Sequence, residues 1–330
     1  MAREQPSKAE ALFQNLLPKL TQSPQHLAEK GAAHLWAGQS AWARGEHALA
    51  LKRLETARQI FQSLELQNDL AATLHAIGLV YQSQSRYSEA LEALNEALRI
   101  RQAMGDQWGV ADSQNIIGLV YAWMGDFPKA FERLRESLAG FEVVGDLRGV
   151  ANALGNLGIV SDYVADYASA LEFFQRSLTI REKLGDQRGV AGSLNGIAVI
   201  YAKLRDYDDA LRYFERCLAI RQAMDDKYAV AAALNNIAGI YDCLGDSRKA
   251  IAYYEKSLAL REEIGEWRGV ASSLVGLGKA HLNLSDFSQA IAYFQKSLSI
   301  AQEIGDKSSI AEALFELGMA HLEKNKRQRG

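Results

Sequence analysis

The sequence predicts an all-α solenoid, a stack of helix pairs with no sheet, and three observations carry that prediction. The first is a period of 40 residues that runs without insertion or deletion. Gly38, Gly78, Gly118, Gly158, Ala198, Ala238, Gly278 and Gly318 form one column of small residues, and Ala50, Ala90, Ala130, Ala170, Ala210, Ala250 and Ala290 form another. Self-similarity at a fixed period of this size marks units that bury their apolar faces on one another. The second is proline, with four in 330 residues and none after Pro128. A usual content is ~5%, so a turn-rich β-sandwich and a proline-rich linker are both excluded. The third is punctuation: Gly105-Asp106, Gly145-Asp146, Gly185-Asp186, Asp225-Asp226, Gly265-Glu266 and Gly305-Asp306 recur between units.

Taken in order, residues 1–23 are expected to hold an N-terminal capping helix over 7–20, with Leu12, Phe13, Leu16 and Leu17 on its apolar face. Ser23-Pro24 reads as an N-cap and first-turn pair. The solenoid is expected over residues 24–323: seven helix pairs starting near residues 24, 69, 109, 149, 189, 229 and 269, then a final helix over about 308–323. Residues 324–330 read as a basic tail. Inside one unit, Leu234, Ile237, Ala238 and Tyr241 share one helical face, and Ala250, Tyr254 and Ser257 share a face of the next helix. Between them Gly245 can take a left-handed conformation and Asp246 can accept from the free N–H groups of the second helix. The same acid recurs at Asp126, Asp166, Asp206 and Asp286. The small columns let the paired helices cross closely, so leucine at Gly158 is expected to damage folding by overpacking.

Charge and composition exclude several function classes. With 37 basic and 40 acidic side chains the net charge is -3, so no bulk positive field recruits nucleic acid or an anionic membrane. Two cysteines, Cys217 and Cys243, make no disulfide framework. No apolar run approaches a membrane span and no leader is read at the N-terminus, so a cytoplasmic protein is expected. The histidines form no metal-ligand spacing, and neither a phosphate loop nor a G-x-S-x-G nucleophile motif occurs. A protein with no enzymatic activity, no metal and no cofactor is expected.

The stretch Leu274-x-x-Leu277-Gly278-x-x-His281, followed by Ala290-x-x-x-Phe294, resembles the tetratricopeptide signature, as do the other units. The unit is longer than the usual 34 residues and lacks the usual closing proline, so its second helix can run on into stretches such as Leu218-Ala-Ile-Arg221. This longer form resembles the repeats of kinesin light chain, of Pins-type spindle adaptors and of bacterial sensor arrays. The resemblance implies a right-handed superhelix of antiparallel helix pairs, with the first helix of each pair on the concave side.

On that side, three groups of residues are candidates for holding a partner. Asn115, Asn195 and Asn235 recur at one position, with Asn156 and Asn236 one residue further on. An amide offers donor and acceptor together and can bracket a peptide group of an extended ligand. The kinesin light chain resemblance implies that role for Asn235 and Asn236 above all. The same amides could instead bridge neighbouring helices. Asp112, Asp162 and Asp242 make the middle of the face acidic, with Lys279 further along, so a neutral or basic segment is the expected ligand. Gly155, Gly192 and Gly239 leave floor space beside Trp123 and Tyr163, which are candidate anchors. The expected function is a protein-protein interaction scaffold or adaptor that takes a peptide segment of a partner. Two alternatives remain: a peptide-gated receptor that changes superhelix shape, and a scaffold that self-associates through the final helix, where Phe315 and Met319 could be exposed.

Overall fold

Helix boundaries follow from short-range chemistry repeated along the chain. A computed structural model describes residues 24–329. The helices are α1 (Pro24–Ala43), α2 (His47–Ser63), α3 (Gln67–Ser83), α4 (Tyr87–Met104), α5 (Gln107–Trp123), α6 (Phe127–Val144), α7 (Leu147–Tyr163) and α8 (Tyr167–Lys183). They continue as α9 (Gln187–Lys203), α10 (Tyr207–Ala223), α11 (Lys227–Cys243), α12 (Ser247–Ile264), α13 (Trp267–Asn283), α14 (Phe287–Glu303) and α15 (Lys307–Arg329). Among the described residues there is no strand. Odd-numbered helices open each pair and even-numbered ones close it, and the starts lie within two residues of those expected. The expected capping helix over 7–20 lies outside the described residues.

The predicted caps form. Asp126, Asp166, Asp206, Asp246 and Asp286 accept from the backbone N–H three residues on, at 3.1–3.3 Å. Between pairs, Asp106, Asp186 and Glu266 do the same for Gly109, Gly189 and Gly269 at 2.8–3.0 Å. Each satisfies a donor that the first helical turn leaves open. Gly245 closes α11 with φ 78°, and Arg205 and Ser285 take the same left-handed role without a glycine, at φ 62° and 65°.

Packing then turns on the small column. A Cβ placed on Gly38, Gly78 or Gly118 would lie 2.6, 2.5 or 2.7 Å from Cγ of Leu54, Leu94 or Leu134, and one on Gly278 would collide with the Phe294 ring. Each pair is a knob from the closing helix seated on a bare patch of the opening one. The described residues form two compact units that divide after Val164. In the first, the core holds Leu54, Phe61, Leu74, Ile77, Leu94 and Ile117. In the second, the knobs are aromatic: Phe174, Phe214, Tyr254 and Phe294 pack with Leu194, Ile197, Ile237 and Leu274.

The end of the chain differs from expectation. α15 continues through Lys324 to Arg329, where a basic tail beyond the helix was expected. Lysine, arginine and glutamine are good helix formers, and their positive charges suit the negative end of the helix dipole.

Candidate partner-binding face

The first residues of α5 and α13 are held by an arginine in the last turn of the preceding closing helix. Buried Arg101 donates from Nη1 to the Gly109 carbonyl at 2.9 Å and to Ser113 Oγ at 2.8 Å. Arg261 likewise donates to the Gly269 carbonyl, with Glu266 beside it. Arg101 also reaches Asp112, 3.4 Å away, and His75 Nδ1 lies 3.6 Å from the same carboxylate. Burial holds the His75 pKa below its ordinary value. Asp112 is thus a partner of the fold's own arginine.

The candidate asparagines meet one another. In the first unit Asn156 Nδ2 donates to Asn115 Oδ1 at 3.0 Å, and Asn115 is buried. In the second, Asn236 Nδ2 donates to Asn195 Oδ1 at 3.4 Å, and Ser273 Oγ donates to Asn235 Oδ1 at 3.3 Å. These bonds bridge successive opening helices. They engage the carbonyl oxygens of Asn195 and Asn235 and leave both amide nitrogens without a partner among the described residues. Where the partnering asparagine is absent, a ring takes its place. Gly196 sits under Phe174 with a Cβ position 2.8 Å from the ring, and Gly276 sits under Tyr254.

Two glycines behave otherwise. A Cβ on exposed Gly192 would meet nothing within 4 Å, and one on Gly239 would meet only the Tyr254 hydroxyl, at 3.7 Å. Around them in the second unit, Asn283 Nδ2 donates to Asp242 Oδ1 at 2.8 Å, and half-buried Lys279 lies 3.1 Å from Glu316 and 3.4 Å from Glu312. In the first unit Asp162 is half-buried, Trp123 is exposed, and exposed Tyr163 stacks on Phe127 at 6.0 Å.

Burial raises the Asp242 pKa above the ordinary carboxylate value, although the Asn283 bond and Lys279 pull it down. A carboxyl whose pKa is higher folded than unfolded favours the fold while protonated, and that contribution is lost as pH rises through the folded pKa. Asp242→Asn keeps an acceptor for Asn283 and cannot ionise. Its urea midpoint at pH 7 is expected to exceed the wild type's, with the gap closing in acid below the ordinary aspartate range. Equal midpoints at pH 7 would remove the claim that this carboxylate is held at a cost.

Among the described residues, no group of three or more His, Cys, Asp or Glu is placed to hold a metal ion. Cys217 is buried and donates to the Ala191 carbonyl, while Cys243 is exposed. No described helix is long and apolar enough to cross a membrane.

Opening helices with a bare patch, closing helices with a seated knob and capped turns between them recur throughout both units, and residues 29–103, 109–183, 189–263 and 269–329 match the tetratricopeptide repeat model. The chain belongs to the tetratricopeptide repeat family. No curated protein matches it in sequence. Solved structures do match in fold. The apo form of RapI is 17% identical over 83% of this chain and 98% of its own, with a TM-score of 0.66. A Rap protein complexed with competence and sporulation factor is 14% identical over 98% and 94%, with a TM-score of 0.60. BtubC (BKLC) from P. vanneervenii is 22% identical over 67% and 91%, with a TM-score of 0.59. At these identities the likeness is one of fold.

Proposed function

We propose that this tetratricopeptide repeat protein is a non-catalytic interaction scaffold that takes a peptide segment of a partner along α9, α11 and α13. The observation that carries the reading is the open space at Gly192 and Gly239. A glycine inside a helix costs about 1 kcal/mol relative to alanine. At Gly118 or Gly278 a close helix crossing offsets that cost, whereas at Gly192 no packing does. A hollow for a ligand side chain would. The unpartnered amide nitrogens of Asn195 and Asn235 line the same stretch and can donate to the carbonyls of an extended chain. Asp242 favours a neutral or basic segment. The likeness to a Rap protein solved with a bound factor supports a binding role, on fold alone.

Panning a peptide display library on the immobilised chain tests this. Peptides neutral to basic in charge are expected to enrich, and their binding is expected to be lost in Gly192→Leu and weakened in Asn195→Ala/Asn235→Ala. Gly192→Leu should melt no lower than wild type. The double variant also gives up two interhelical bonds and should melt slightly lower, by about 1 kcal/mol per bond. Binding that survives both variants unchanged would refute the reading.

A further inference from the structure

Among the described residues α15 packs mainly against α14, with a smaller contact to α13. Its inner side is fixed by Ala313 and Ala320, both fully buried. Its outer side is apolar and open: Leu314, Phe315, Met319 and Leu322 are 51%, 65%, 39% and 55% exposed. Gly318, the last member of the small column, would carry a Cβ with nothing within 4 Å, where its counterparts at Gly38, Gly78 and Gly118 meet a leucine. An exposed apolar surface of this extent marks an interaction site.

The order of residues on that side identifies the occupant. Glu312, Phe315, Met319, Leu322 and Lys326 are all exposed and follow one another at steps of three and four, the spacing of a helix–helix seam. The stripe has an acid at one end, a base at the other and three apolar side chains between. Laid antiparallel about Met319, a second α15 sets its Lys326 across from Glu312 at both ends and its Leu322 beside Phe315. A parallel copy would oppose like charges. A stripe that complements its own reversal is the mark of a twofold, isologous contact. We infer that the protein forms a homodimer through antiparallel pairing of α15 with α15 of a second copy along this stripe. Within one chain Glu312 touches Lys279 and Lys326 touches Glu323. All four side chains are at least about a third exposed, so these are weak surface pairs that leave both end charges available to a neighbour.

Sedimentation velocity across a wide concentration range tests the pairing on the full chain. Wild type is expected to show a monomer–dimer equilibrium. Phe315→Glu/Leu322→Glu is expected to remain monomeric with unchanged helical circular dichroism, since neither side chain is buried. Glu312→Lys and Lys326→Glu should each weaken the dimer roughly tenfold, because each sets two like-charge contacts across the twofold. An equimolar mixture of the two single variants should regain dimer as the mixed species, in which every cross-pair is again opposite in sign. A wild type that stays monomeric throughout would overturn the inference, as would a dimer indifferent to the apolar pair or to the charge exchange.

Discussion

Gly118→Leu is expected to destabilise the first unit by about 3 kcal/mol, at the upper end of what overpacking a fitted core costs. Even the Cβ would stand 2.7 Å from Leu134 Cγ and 3.2 Å from the Ala130 carbonyl oxygen. A backbone atom cannot swing aside as a side-chain tip can, so α5 and α6 must separate and expose the leucine knob. Gly192→Leu, the same chemical change on the same kind of helix, is expected to leave stability equal or slightly raised, by up to about 1 kcal/mol of helix propensity. Urea denaturation of the two variants side by side measures the contrast. If both lose comparable stability, the division of glycines into packing and ligand positions is wrong.

Phe294→Ala is expected to cost about 3–5 kcal/mol, the usual range for emptying a buried aromatic site. The ring is fully buried, covers Gly278 and packs with Val275, Ala290 and Ala320, so it seats both α13 and α15. Loss of helical circular dichroism well below the wild-type melting temperature should follow, because each element of a repeat array is held only by its neighbours. A double-mutant cycle isolates the contact. Gly278→Ala alone should destabilise, since its methyl would collide with the ring. In the Phe294→Ala background the same change should stabilise by up to about 1 kcal/mol, with the collision gone and alanine favoured in a helix. An equal cost in both backgrounds would show that the ring does not rest on the glycine.

The fold was legible because its determinants are local or periodic. Asp246 caps the helix that starts at the next residue, Gly245 closes one in the adjacent turn, and Gly118 needs only its place in a column to be read as a crossing. The candidate face was less legible, because its partners lie about 40 residues apart and one residue of lateral offset decides their role. Asn195 can face a ligand or accept from Asn236, and the spacing allows both; the structure shows the second bond and leaves the nitrogen for the first. Asp112 reads as a groove carboxylate until Arg101 is seen to reach it from the preceding helix. The arginine column was visible as Leu-x-Ile-Arg, but nothing in the motif says that its side chain would fold back to hold the next helix. The run of α15 to Arg329 departs from the basic tail expected over 324–330, because lysine, arginine and glutamine favour continuing the helix.

The alternation of Asn156, Gly196, Asn236 and Gly276 limits how such an array can be shortened. Excising residues 187–226 would bring Asn236 to the place of Gly196, with Phe174 before it at the spacing at which Phe214 precedes Asn236 in the intact chain. The Phe174 ring would then have to leave its seat over Gly196, where a Cβ comes within 2.8 Å of it. Excising 187–266 instead brings Gly276 to that place and leaves the ring where it is. An 80-residue deletion is therefore expected to disturb this contact less than a 40-residue one.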